Sequence, residues 1–137
     1  MCGGCNVDGN WDDFRERCQA ALAELVEGRP EPFKELWCQE DDVSIMGAFG
    51  AYEKGWADVR PRLDWASSQI GATDRTVDNL VTVVGTDLAY TVDLEHMERT
   101  VDGERIHRVL RCTQIYRLEH GEWRITHRHA DELITTR

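Results

Sequence analysis

The sequence predicts an α+β domain in which a curved antiparallel sheet is covered by three helices. Three observations predict it. Up to Gly71 the apolar residues recur at three- and four-residue intervals, interrupted by glycine and proline. Beyond Gly71 the texture changes to long runs rich in β-branched residues. Those runs are joined by short turns, Gly85-Thr86, Asp102-Gly103 and His120-Gly121. Helical segments followed by strands, with no internal repeat, low-complexity segment or linker, give the order of a single α+β domain.

In the first helix Trp11, Phe14, Cys18, Ala21, Leu22 and Leu25 form one apolar stripe, Asp8 or Asn10 can cap its start, and Gly28 and Pro30 stop it. A second, short helix is expected over residues 32–38, with Pro32 in its first turn and Phe33, Leu36 and Trp37 facing inward. Residues 43–46 read as a strand, and Gly47-Ala48-Phe49-Gly50-Ala51-Tyr52 as a bend returning in a partner strand that ends at Tyr52. The third helix follows Gly55, with Val59, Leu63, Ala66 and Ile70 on its stripe and Trp56 and Trp65 beside it. An N-cap at Asp58 would leave Pro61 in the first turn, where a missing N–H costs little. Four strands follow, over residues 76–84, 87–98, 104–118 and 122–130, as an antiparallel meander. Strands this much longer than the usual five or six residues must twist and curl. A curled sheet has a hollow side, and whatever the helices leave unfilled there becomes a pocket. Residues 10–134 are expected to form the domain and residues 1–9 a flexible tail.

Composition narrows the function. Sixteen Lys and Arg against twenty-six Asp and Glu give a net charge of −10 over 137 residues, which repels phosphate backbones and anionic lipid headgroups. Nucleic acid and membrane are therefore not expected partners. The start, Met1-Cys2-Gly3-Gly4-Cys5-Asn6, lacks the basic and apolar stretches of a signal peptide, so a cytoplasmic location is expected. Cys2, Cys5, Cys18, Cys38 and Cys112 are odd in number and scattered, the pattern of reduced thiols. Cys2 and Cys5 form a CxxC without a second ligand pair at metal-finger spacing, so neither a metal nor a cofactor is expected. No phosphate-binding glycine loop, Gly-x-Ser-x-Gly elbow or dinucleotide fingerprint is present.

The strongest functional signal is the last strand, Gly121-Glu122-Trp123-Arg124-Ile125-Thr126-His127-Arg128-His129-Ala130-Asp131. Strict alternation puts Trp123, Ile125, His127 and His129 on one face, running from apolar to ionisable as a strand does on leaving a core for a pocket. Imidazoles titrate near neutral pH, so His127 and His129 are the expected acid/base pair. The competing placement is at the rim or at a dimer interface on the outer face. A two-residue turn at His120-Gly121 sets Leu118 by Trp123, Tyr116 by Ile125, Gln114 by His127 and Cys112 by His129. A bulge slips that register by one and brings Thr113 to His127 and Arg111 to His129. Gln114 or Arg111 is thus a candidate substrate-binding residue, together with Tyr52, Trp65 and Tyr90 as aromatic walls. Along the second long strand the apolar parity Tyr90, Val92, Leu94 is expected to face the core and Asp93 and Glu95 to face out.

The element order, with Phe49-Gly50-Ala51-Tyr52-Glu53-Lys54-Gly55-Trp56 before the third helix and the terminal Gly-x-Trp followed by His-x-His, resembles the SnoaL-like branch of the nuclear transport factor 2-like superfamily, which includes ketosteroid isomerases. The resemblance covers about residues 11–133. It implies a cone-shaped α+β barrel, dimeric through the outer sheet face, with a cavity between sheet and helices. The Tyr and Asp pair of the steroid isomerases and the Arg and Asp set of the epoxide hydrolases have no clear counterparts here, so those activities are not implied. The combined expectation is a pocket for a small, partly apolar ligand with a polar or anionic group. Such a pocket suits a cofactor-free isomerase, dehydratase or cyclase. The alternative is a non-catalytic ligand-binding or dimeric association module, with Arg117, Arg124, Arg128, Asp93 and Glu95 forming charged pairs on the outer sheet face.

Overall fold

The computed structural model describes residues 10–134, so the amino-terminal CxxC and the expected tail lie outside the described residues. Helix α1 (Trp11–Val26) buries Trp11, Phe14, Cys18, Ala21, Leu22, Leu25 and Val26, the expected stripe extended by one residue. Helix α2 (Glu31–Lys34) is shorter than its pattern suggests. The chain leaves it to become extended: Ile125 N–H donates to Leu36 O and Cys38 N–H to Ile125 O, each at 2.9 Å, so Trp37 bridges the last strand instead of continuing the helix. Strands β1 (Ser44–Met46) and β2 (Tyr52–Lys54) form a short hairpin, with β2 beginning at Tyr52, where the partner strand was expected to end. Helix α3 (Trp56–Ile70) is capped by Gly55 at φ +86°, not by Asp58, and Pro61 therefore lies inside it. The missing N–H falls on the exposed side of the helix, where water can satisfy the freed carbonyl.

The meander is β3 (Ala72–Val84), β4 (Leu88–Val101), β5 (Glu104–Glu119) and β6 (Glu122–Glu132), each longer than expected at one or both ends. The sheet runs β2-β1-β6-β5-β4-β3, antiparallel except where β1 joins β6 in parallel, and it curves without closing. Asp102-Gly103 and His120-Gly121 all have positive φ, the paired left-handed conformation of a two-residue hairpin turn whose twist matches its strands. The three helices cover the concave face. Trp11 meets Tyr116 edge-on at 5.0 Å and Trp123 at 5.5 Å, and Phe14 meets Tyr116 at 5.7 Å, so aromatic packing closes one end of the hollow.

The expected parity of β4 is reversed. Ala89, Thr91, Asp93, Glu95 and Met97 are buried on the concave face, and Tyr90, Val92 and Leu94 lie on the convex one. The inward carboxylates are tolerated because arginines from three other elements reach them, and the apolar residues outside cover the back of the sheet. Asp93, Glu95 and Arg128 therefore form no pairs on the outer face. Arg117 there pairs with Asp42 and Glu119, and Arg124 with Glu122.

Candidate functional site

The site is built by one irregularity in β6. The hairpin register starts as expected, with Leu118 opposite Trp123 and Tyr116 opposite Ile125, but Ile115 then pairs with His127, leaving Thr126 as an extra residue. Such a bulge inverts the alternation beyond it. Trp123 and Ile125 point inward before it; Arg128 and Ala130 point inward after it, and His127 and His129 are turned to the convex side. Neither expected register holds over the whole strand: Gln114 is opposite Arg128, Thr113 opposite His129 and Arg111 opposite Asp131.

Arg128 thereby enters the core. Its guanidinium grips both oxygens of Glu95, at 2.7 and 3.0 Å, and donates to Gln114 Oε1 at 2.7 Å and Cys112 Sγ at 3.0 Å. Arg75 from β3 donates to Glu95 Oε2 at 2.8 Å and to Gln19 Oε1 of α1 at 2.7 Å. Arg15 of α1 pairs with Asp93 at 2.7 Å, and Asn79 donates to the other Asp93 oxygen at 2.7 Å. Tyr116 joins the two halves: its hydroxyl takes bonds from Gln114 Nε2 at 2.7 Å and Arg15 Nη1 at 3.2 Å, and lies 2.7 Å from Thr91 Oγ1. Three arginines thus face two carboxylates. Burial pushes the Glu95 carboxyl up, but Arg128 and Arg75 outweigh it and hold it down at about 2. Burial raises the Cys112 thiol and the Tyr116 hydroxyl, so both keep their protons.

Above this polar floor lies a cavity of about 160 Å³. Leu22, Leu25 and Val26 of α1, Phe33 of α2, and Leu63, Ala66 and Ile70 of α3 wall it on the helical side. Met97, Leu110 and Ala130 form its sheet wall, Glu95 and Arg128 its floor, and Arg99, Arg108 and the Gly47-Ala48-Phe49 loop its rim. It offers an apolar space over a fixed ion pair, with Glu95 too firmly ionised to serve as a ready proton acceptor.

The expected site residues are dispersed. His127 is half-buried on the convex side, its Nδ1 2.8 Å from Ser44 Oγ, with its pKa lowered by burial and by neighbouring His129. His129 is exposed there. Tyr52 is 74% exposed on the edge strand, and Tyr90 lies on the convex face. Trp65 is also partly exposed, its ring edge-on to Phe49 at 4.9 Å beside the cavity rim. Arg111 is exposed and clamped by both oxygens of Asp131. Gln114 alone among them is inside, where it holds Arg128 and Tyr116 and does not line the cavity. The residues that build the site, Arg15, Arg75, Asp93, Glu95, Arg99, Arg108 and Arg128, carried one sequence signal: two acidic residues, Asp93 and Glu95, alternating with apolar ones on β4.

The sequence pattern of the SnoaL-like domain matches residues 15–131. The chain belongs to the SnoaL-like domain family. Similar solved structures agree in fold at low identity. A Thiobacillus denitrificans protein, named as a candidate calcium/calmodulin-dependent protein kinase type II association domain, has a TM-score of 0.75 at 19% identity, covering 90% of this chain and 94% of its own. A ketosteroid isomerase-like protein from Erwinia carotovora atroseptica gives 0.71 at 13% identity, covering 91% and 97%. The association domain of Caenorhabditis elegans calcium/calmodulin-dependent protein kinase II gives 0.67 at 14%, covering 93% and 99%. Among curated proteins no sequence matches. Likeness at this level fixes the fold and leaves the function to the site.

Proposed function

We propose that this SnoaL-like domain is a small-molecule pocket protein that binds a compact, mostly apolar ligand carrying a polar or anionic group, and holds it without acid/base turnover. The cavity carries this reading. Its 160 Å³ is close to that of an apolar cavity of roughly 150 Å³ that takes up benzene, so the buried part of the ligand is the size of one aromatic ring or a short alkyl chain. The isomerase, dehydratase or cyclase reading has less support, because His127 and His129 face away from the cavity and Glu95 is held by two arginines. A thermal-shift panel of small aromatic and alkyl compounds tests the binding reading. Saturation at a hundredfold over Kd should stabilise the protein by about 2.7 kcal/mol. Ala130→Phe, which fills the cavity, should melt normally and show no shift. A wild-type protein indifferent to every compound would refute the reading.

The domain pairs with a second copy through its convex face. Tyr90, Val92 and Leu94 of β4 and Ile115 of β5 place an apolar patch there, the face on which the half-buried His127 also lies. The similarity to kinase association domains supports this use of the fold. Sedimentation equilibrium should give twice the chain mass, and a monomer would refute the pairing. A cytoplasmic setting accords with Cys18, Cys38 and Cys112, which are free and buried.

A further inference from the structure

We propose that the ligand is a small carboxylate that enters apolar end first, its carboxylate held at the rim by Arg99 and Arg108; this rests on the pocket reading above. The concave face of β4 and β5 is graded along its length. From the closed end β4 presents Thr91, Asp93, Glu95, Met97 and Arg99 in turn, and β5 presents Tyr116, Gln114, Cys112, Leu110 and Arg108, so on each strand one apolar residue separates the polar floor from a rim arginine. An amphiphile laid along that gradient has its apolar body over those apolar residues and its charge at one end or the other.

At the deep end Arg128 has no free terminal nitrogen for an anion. Both terminal nitrogens of Arg128 are already committed, to Glu95, Gln114 and Cys112, and the ionised Glu95 repels a second carboxylate there. The rim accepts one. Among the described residues Arg99 has no side-chain hydrogen bond or ion pair, and Arg108 has one contact, at 3.3 Å to a half-exposed Glu132. Arg99 is paired with Ile106 and Arg108 with Met97, so the two arginines are diagonal neighbours on the cavity-facing side of adjacent strands. Diagonal positions are roughly 7–8 Å apart, a span over which two long side chains can converge on one carboxylate. Guanidinium groups suit that role by their forked donor geometry. The partly exposed rim keeps the anion hydrated on its outer side, so its desolvation cost is small, while the ring-sized body fills the space behind it.

The test compares phenylacetate, its neutral isostere phenylacetamide, and toluene by calorimetry and thermal shift at low and high salt. Wild-type protein should bind phenylacetate at least tenfold more tightly than phenylacetamide at low salt, with the preference shrinking as salt rises. Arg99→Gln with Arg108→Gln should melt near wild type, retain phenylacetamide and toluene binding, and lose the tenfold preference. Arg99→Glu should reverse it. If toluene and phenylacetamide bind but phenylacetate gains nothing, or keeps its preference in the double variant, the rim assignment is overturned and the pocket reading stands. If none of the three binds wild-type protein, the pocket reading fails and takes this inference with it.

Discussion

Replacing Arg128 by Met keeps the length of the side chain and removes its charge, and the structure sets the size of the consequence. The change deletes both bonds to Glu95 and the one to Gln114 Oε1, leaving a fully buried carboxylate with Arg75 as its remaining cation. Breaking a buried pair from one side costs about 3–5 kcal/mol, because the surviving charge stays desolvated. For a domain of this size that is a fall of roughly 10–20 °C in melting temperature. The pH dependence identifies the cause. In wild type the Glu95 pKa is depressed from 4.5 to about 2, so its stabilising contribution is complete above 4.5 and is lost as pH falls towards 2. That shift corresponds to about 3 kcal/mol. In Arg128→Met the carboxyl loses its main counter-charge and protonates at higher pH, which relieves the penalty. The stability gap between the two proteins, measured by urea denaturation, should therefore be widest at pH 7 and narrow steadily below pH 4.5. A gap under 1 kcal/mol at pH 7, or one that stays constant down to pH 2.5, would refute the account of the ionic floor.

Tyr116→Phe should cost about 1–3 kcal/mol in the same assay, since the buried Gln114 amide loses its acceptor while the aromatic packing is kept. A Cβ on Gly85 would lie 2.8 Å from the Leu88 carbonyl oxygen, so Gly85→Ala should lower the melting temperature by several degrees; Gly47→Ala, with nothing within 4 Å, should leave it nearly unchanged. Leu94→Glu on the convex face should give a monomer by sedimentation with the ligand shift retained, whereas a dimer of unchanged affinity would move the contact elsewhere.

The element types and their order were legible because each long strand and each helical stripe repeats its signal many times. Boundaries were less so, and for local reasons: α2 ends early because residues 36–38 pair with Ile125, and α3 starts early because Gly55 supplies a cap conformation that Asp58 was expected to replace. The site was hidden by two things alternation does not reveal. A single extra residue, Thr126, inverts the face of everything after it, exchanging His127 and His129 for Arg128. The second is that the apolar parity of β4 does not mark the helix-covered face: here the concave face is lined by carboxylates whose partners come from positions as distant as Arg15 and Arg128. Charge pairing between remote residues leaves no periodic trace.

The hydrogen-bonded floor also makes the cavity lopsided in its mechanics. Helix α1 is riveted to the sheet through Arg15 and Gln19, so the flank formed by Leu22 and Leu25 is anchored by charge. The opposite flank, at Gly47-Ala48-Phe49, leans on the edge-on contact of Phe49 with Trp65. Phe49→Ala should therefore open the cavity on that side while its ionic foundation stays intact.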